Sequence, residues 1–162
     1  MKELNGLLGA ALHFAALEVA VHKKLHEGIE VVAQRIEDTA REEVGHYQDA
    51  IGPFPAWDPL APATEDEKAR LGYPLDAPLL RTGDMQGSFS HEVKGLEAVI
   101  GSTDDKLVYH EFGTAKMPPR PVLGPAVERN EKFIKRILGK AAVSGFVDGV
   151  HIHSSLGYDK EY

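Results

Sequence analysis

The residues best suited to chemistry in this chain are histidine and glutamate side chains at two places in its second half. His110 and Glu111 are adjacent, while His151 and His153 alternate and would share one face of a strand. A zinc-protease helix needs a second histidine one turn after the His-Glu pair, but that position is Thr114. Because a zinc site takes three or four protein ligands, a small metal-dependent protein remains only an alternative. We expect no catalytic residue, no metal and no cofactor.

A second candidate group is a basic block in an otherwise acidic chain. The formal net charge is −7, yet residues 116–140 hold seven basic and two acidic side chains. The basic side chains are Lys116, Arg120, Arg129, Lys132, Lys135, Arg136 and Lys140. Such a block is either a solvated helix face or a contact to an acidic neighbour, which is another copy of the chain or DNA. The acidic net charge argues against binding of free DNA. A small DNA-binding protein that uses the basic helix is therefore kept only as a further alternative.

Composition excludes several classes of protein. Cysteine is absent, so disulfides, thiolate metal sites and cysteine nucleophiles are excluded. The N-terminus lacks a basic region before an apolar stretch, which is not typical of a signal peptide. No run is long and apolar enough to span a membrane. With 162 residues, the chain fits a single domain with a real core.

The run from Tyr109 to Ala126 combines a glycine turn with a stiff extended segment, residues 113–122, which we call the connector. Gly113 permits a positive φ. Several prolines then fix the backbone, and the last of them suits the first turn of a helix. These prolines are Pro118, Pro119, Pro121 and Pro125. The sequence therefore predicts a rigid connector that leads into a helix.

Three side chains of this run have predicted roles. Phe112 and Leu123 are expected to anchor the connector against the sheet. Arg120, held between prolines, has a planar donor fork suited to a carboxylate. That carboxylate belongs either to the same chain, as a salt bridge, or to a neighbouring subunit.

The wider pattern predicts an α+β domain over residues 1–162. Residues 1–50 are expected to be helical, followed by a proline-rich segment with a short helix at 51–80. A β-rich segment containing the connector spans 81–124, a helix spans 125–146, and 147–162 is a tail or short strand. Within 51–80, Thr64 and Glu67 form a capping-box pattern.

The N-terminal helix is predicted from apolar residues that recur every three or four positions. They are Leu8, Leu12, Ala15, Val19, His22, Leu25, Ile29, Val32, Ile36, Ala40, Val44 and Tyr47. Gly28 interrupts the pattern, which leaves open one long helix or a kinked pair. The sheet, another helix or a neighbouring subunit must cover this stripe, and we expect most of it to pack within the chain.

The β-rich segment contains a hairpin pattern. Residues 88–93 alternate weakly, Lys94 and Gly95 are a turn candidate, and residues 96–101 form the next strand. Leu107–Phe112 fits either a strand or a helical turn, because periodicity does not distinguish them.

Three runs resemble one protein family. They are the W-x-PL-x-x-x-T run at Trp57, Pro59, Leu60 and Thr64, the PLLRTGDM run at Pro78–Met85, and the EFGTAKMPPRPVLGPA run at Glu111–Ala126. In this order they resemble the tail-completion or head–tail joining proteins of long-tailed bacteriophages, the virion morphogenesis family. Val122 departs from the family's usual phenylalanine, and residues 141–162 have no counterpart in it.

The resemblance implies a structural protein rather than an enzyme. Its fold would be a small antiparallel sheet flanked by helices, with the C-terminal helix packed on the sheet. Copies of the chain would form a ring in the neck between portal and tail. The other partners implied are portal-side head-connector proteins, tail-tube or tail-terminator proteins, and DNA passing through the lumen, with no membrane. The protein would assemble in the host cytoplasm and reside in the virion.

Overall fold

The computed structural model describes the backbone of residues 2–151 and the side chains of residues 7–148. Its helices are α1 (Lys2–Glu43), α2 (Pro62–Leu71), α3 (Asp84–Gly87), α4 (Lys106–Phe112), α5 (Leu123–Arg129) and α6 (Glu131–His151). Strands β1 (Phe89–Lys94) and β2 (Glu97–Ser102) form a two-stranded antiparallel sheet. The fold is α+β and mostly helical, which confirms the predicted class. In the described part of the chain, no helix is both long and apolar enough to cross a bilayer.

The N-terminal helix is continuous. α1 runs through Gly28 without a break, so the structure favours one long helix over the kinked pair. It ends at Glu43, earlier than the predicted residue 50. The cause is Gly45, which adopts a φ of 93° and donates its N–H to the Pro78 carbonyl at 2.8 Å.

Contacts divide the chain into two compact units. The helical unit contains the residues up to Val32, the hairpin turn Val93–Glu97 and the residues from Phe133 onward. The connector unit contains Ala33–Glu92 and Ala98–Lys132.

In the helical unit, the first part of α1 packs antiparallel to α6. Gly28 lies against Ala141, while Val21, which precedes Gly28 on α1, lies against Gly145, which follows Ala141 on α6. A Cβ atom at position 145 would lie 2.5 Å from the Val21 Cα atom. The small residue therefore permits the close approach of the two helices.

In the connector unit, the end of α1 binds the sheet through polar groups. Arg41 donates from Nη2 to the Phe89 carbonyl at 2.8 Å. The buried Glu37 carboxylate pairs with Arg41 and with His91. These contacts hold β1 on the helix.

The helix predicted over residues 125–146 is two helices that meet at Asn130. The buried Asn130 amide nitrogen donates to Thr39 Oγ1 and to the Ala126 carbonyl, both at 2.8 Å. Its amide oxygen accepts from Arg35 Nε at 3.1 Å. These bonds account for the amide's donors and its oxygen, and they hold the junction of α5 and α6 against α1.

Two further predictions are corrected locally. α2 begins at Pro62 with Ala61 as N-cap, so Thr64 is not the cap, although Gly72 follows the helix as its left-handed C-cap, as predicted. Leu107–Phe112 lies within α4, so the segment 81–124 contains two helices besides the hairpin and is less β-rich than predicted. The hairpin itself has the predicted position, with Gly95 at a φ of 59°.

Candidate functional site

The connector begins at a turn that excludes side chains. Gly113 adopts a φ of 70° and a ψ of 179°. A Cβ atom there would lie 2.8 Å from the Pro119 nitrogen and 2.9 Å from the Met117 carbonyl oxygen. Thr114 and Met117 form an antiparallel bridge across the next turn. The glycine is required both by its φ and by the close approach of the backbone.

Arg120 lies inside the connector unit. Its side chain is 4% exposed. Nη2 donates to the carbonyl oxygens of Asp58 at 2.9 Å and Pro59 at 3.2 Å, and Nε donates to Asp58 at 3.3 Å. Its backbone N–H also donates to the His110 carbonyl at 2.6 Å. Arg120 thus binds backbone carbonyls within the chain, rather than the carboxylate that its donor fork suggested.

The end of the connector is held by two further hydrogen-bonding groups. Trp57 Nε1 donates to the Pro121 carbonyl at 3.1 Å. Glu111 Oε1 accepts from the backbone N–H groups of Val122 and Leu123, at 2.9 and 2.8 Å. A carboxylate at this place satisfies free N–H groups at the start of α5 and complements the helix dipole. Glu111 therefore acts as a helix cap in this structure.

The predicted hydrophobic anchor is wrong. Phe112 is 82% exposed, so it does not anchor the connector against the sheet. Because α4 is a helix, its inward face carries Leu107 and Glu111, and Phe112 is rotated away from that face. Val122, which is 0% exposed, fills the core instead, with Leu123 half-buried beside it. Val122 is the position where the resembling family usually has phenylalanine.

The prolines are divided between surface and core. Pro118 and Pro119 are exposed, whereas Pro121 and Pro125 are buried. Pro125 lies in the first turn of α5, as predicted. The connector thus has an exposed middle and a buried end.

A cavity of about 670 Å³ lies beside the connector. Its wall is formed by the start of α2, the PLLRTGDM run, α4 and the connector. Apolar side chains on this wall are Leu60, Leu79, Met85 and Met117. Leu79 has a φ of 63°, which is uncommon for a residue other than glycine.

Two basic groups on this wall are perturbed by burial. Lys68 is 2% exposed, and its ammonium donates to the Ala77 carbonyl at 2.6 Å. Burial lowers the pKa of Lys68. Burial also lowers the pKa of His110, and the nearby Arg120 charge lowers it further. His110 Nδ1 is buried without a hydrogen-bond partner in the described part of the chain. The wall also carries Asp84 and Asp104, while Lys68 and Arg120 donate to backbone carbonyls.

The basic residues predicted to form a subunit interface are partly exposed and partly bound within the chain. The side chains of Lys116, Lys132, Lys135 and Arg136 are exposed. Arg136 also lies over the Phe133 ring, at 5.5 Å from its centroid. Arg120 and Arg129 instead bind groups within the connector unit.

The partner of Arg129 is a buried carboxylate that the sequence analysis missed. Arg129 Nη1 pairs with Glu43 Oε1, and Nη2 donates to the Asp49 carbonyl at 3.3 Å. Burial raises the pKa of Glu43 to about 7, although the Arg129 charge opposes this shift. The other carboxylate oxygen, Oε2, is buried without a hydrogen-bond partner in the described region. The sequence signal that could have identified this site was Glu43 itself, a glutamate on the inward side of the predicted N-terminal helix.

The histidine set is not assembled into a metal site within the described residues. Glu111 is occupied as a helix cap, and no group of three or more His, Asp or Glu side chains there could hold a metal ion. His151 ends α6, but its side chain lies outside the described part, and so does all of His153.

All three runs that carry the family resemblance meet in the connector unit. Trp57 binds Pro121, Arg120 binds Pro59, and the PLLRTGDM run shares the cavity wall with Met117. Comparison of the whole chain with protein-family models, curated proteins and solved structures found no match.

Proposed function

We propose that this protein is a structural component of a bacteriophage virion, which completes the tail or joins head to tail as part of a neck ring. It acts with copies of itself, with portal-side head-connector proteins and with tail-tube or tail-terminator proteins. It resides in the virion after assembly in the host cytoplasm, and its role is not enzymatic.

The observation that carries this proposal is the convergence of the three resembling runs. The runs are separate in the sequence, yet hydrogen bonds join Trp57 and Pro59 of the first run to the connector, and residues of all three runs line one cavity. Chance similarity in short runs would not require them to build a common structure. Their convergence therefore supports a shared structural role for these runs.

The surface of this unit also fits a role in assembly. The outer side of α4 exposes Val108, Tyr109 and Phe112, and the connector exposes Lys116 and Pro118. Exposed aromatic residues on a rigid backbone bind partners at a low cost in conformational entropy. We assign this surface, which we call the α4 surface, to contact with a neck or tail protein.

The exposed basic residues of α6 support a second contact. Lys132, Lys135, Arg136 and Lys140 are exposed and suit an anionic surface, either an acidic face of the next subunit or DNA in the ring lumen. A salt-dependent shift of plain duplex DNA would favour the DNA contact. Binding to a partner protein without such a shift would favour the protein contact.

The deciding experiment is removal of this protein from a phage that encodes it. We expect electron microscopy to show filled heads and separate tails, and complementation with the wild-type chain to restore complete particles. Mass spectrometry of purified particles should detect the protein in the virion. Complete infectious particles formed without the protein would refute the proposal.

A further inference from the structure

The first part of α1 carries an apolar face that is exposed in the helical unit. Leu8, Leu12, Ala15 and Val19 are all exposed, and Val19 is 69% exposed. The sequence has no Asp, Glu, Lys or Arg from position 4 to position 17. A helix face of this kind usually packs against another element.

These four residues belong to a longer heptad line along α1. Their spacing alternates between four and three residues, and the same spacing continues along the helix. The later members are His22, His26, Ile29, Ala33, Ile36 and Ala40. Burial increases along the line, because its members are exposed up to His22 and buried from Ala33.

A repeat of seven with apolar a and d positions is the pattern by which two helices wrap around each other. On this line, Leu8 and Ala15 occupy d positions, and Leu12 and Val19 occupy a positions. Among parallel coiled coils, leucine at d with a β-branched residue at a favours two strands, and Leu8 and Val19 fit this preference. The exposed part of the heptad line therefore has the pattern of one half of a coiled coil.

The charges beside the line indicate which helix completes it. Glu18 occupies a g position and Lys23 the e position of the next heptad, and both side chains are exposed. In a parallel pair, the g residue of one helix faces the following e residue of the other, so Glu18 meets Lys23 of a second copy. An antiparallel pair sets g beside g, and Ala11, Glu18 and Leu25 include no cation.

We propose that α1 binds α1 of a second copy of this chain in parallel, through Leu8, Leu12, Ala15 and Val19. A parallel pair is a twofold contact that closes at two copies, so it is separate from the contact between neighbouring subunits around the ring, and it rests on the proposed function only for its biological setting. Since the face is exposed in the described part of the chain, association does not require a tail or head partner.

Sedimentation velocity of the full chain tests the contact with a matched pair of variants. Val19 lies on the heptad line, whereas Val31 is 49% exposed on the same helix but lies off the line. We expect the wild type to associate as its concentration is raised to about 0.5 mM. Val19→Glu should weaken this association by at least about 100-fold, while Val31→Glu leaves it within about threefold. Circular dichroism should show unchanged helix content in both variants.

Charge reversal and cross-linking test the orientation. Glu18→Lys alone should weaken association by about tenfold, and Lys23→Glu should restore it in the double variant. The chain has no cysteine, so Ala15→Cys adds a single thiol. In a parallel pair that residue faces its copy, and oxidation should give a covalent dimer, whereas Val31→Cys should not.

A wild-type chain that stays monomeric, or equal effects of Val19→Glu and Val31→Glu, would overturn the proposed contact. Failure of both the double variant and the Ala15→Cys cross-link would also overturn it, because the pair would not be parallel. These outcomes are separate from the deletion phenotype. A monomeric protein whose loss still separates heads from tails would overturn the coiled coil and leave the neck function standing.

Discussion

The two units of this protein differ in which side chains they bury. In the connector unit, Val122 and Trp57 are buried, and the charged Arg120 binds carbonyls inside the unit. In the helical unit, Val19 and Phe146 are exposed along two well-packed helices. Both units thus retain apolar surface for another molecule, the α4 surface in one and the first part of α1 in the other, but among the described residues the buried charged side chains all lie in the connector unit. The predictions below test this contrast through stability in the connector unit and through assembly at the exposed surfaces.

The largest effect on stability is expected from Arg120→Ala. The change removes a buried cation and leaves the Asp58 and Pro59 carbonyls without their donor, which should cost about 3–5 kcal/mol. For a chain of this size, the melting temperature should fall by roughly 10 °C. Arg136→Ala in α6 is the control and should leave melting nearly unchanged. Unchanged melting of Arg120→Ala would show that the arginine is not an internal stabilising residue.

The next effect is a pH dependence from Glu43. Burial raises the pKa of Glu43 from its ordinary 4.5 to about 7, so the folded state holds a proton that the unfolded state releases earlier. Its contribution is fully present below pH 4.5 and is lost as the pH rises to about 7, a change of up to about 3 kcal/mol. Urea unfolding across this range should show the decline, and Glu43→Gln should flatten it.

His110 provides the control for that experiment because its pKa is lowered by burial and by Arg120. Its contribution is present above pH 6.5 and is lost as the pH falls through the lowered pKa, which is the opposite direction. The variant His110→Gln should therefore keep the decline assigned to Glu43. Loss of that decline in His110→Gln would contradict the assignment.

A pair of glycine substitutions compares the two units directly. Gly113→Ala should cost about 2–3 kcal/mol, because the added Cβ meets backbone atoms at a positive φ. Gly139→Ala lies on α6, where a Cβ would meet nothing within 4 Å, and should stabilise the helix by about 0.5–1 kcal/mol. Chemical denaturation of both variants measures the difference. A Gly113→Ala variant as stable as the wild type would contradict the described turn at Gly113.

A smaller effect on stability is expected from Phe112→Ala. Since Phe112 is exposed, the free energy of unfolding should change by less than about 1 kcal/mol. If the α4 surface binds a neck or tail protein, the same variant should weaken that binding by tenfold or more, as an aromatic contact residue does. Calorimetric titration against the tail-tube protein or the portal-side head-connector protein measures this binding. A large loss of stability would restore the original prediction of an anchor.

The smallest effect on stability is expected from reversing Lys132 and Arg136 to Glu together. Both residues are exposed, so the fold should change by only about 0.5 kcal/mol. Assembly should nevertheless fail if these side chains meet an acidic face of the next subunit. Light scattering with the partner protein compares the double variant with the wild type, and unchanged assembly would rule out this contact.

Local patterns in the sequence predicted much of the fold. The three- and four-residue spacing identified α1, the Lys94–Gly95 pair located the hairpin turn, and Gly113 was recognised as a special backbone position. Each of these features depends on a few neighbouring residues, because helix periodicity, turn geometry and the absence of a Cβ act over short distances. The end of α1 and the start of α2 were predicted less accurately. Gly45 leaves the helix to bind the Pro78 carbonyl, and α2 begins at Pro62 rather than after Thr64.

Only the tertiary structure decided the roles of the chemically important side chains. Arg120, Glu111 and Glu43 were visible as charged residues, but their partners are distant carbonyls, backbone N–H groups and an arginine 86 positions away. The helical state of α4 likewise turned Phe112 to the surface and left Val122 in the core. By itself the sequence determined the long N-terminal helix, the position of the hairpin and which charges are available. Which charges become buried depended on how segments far apart in the chain pack together, and local propensity carries no record of that packing.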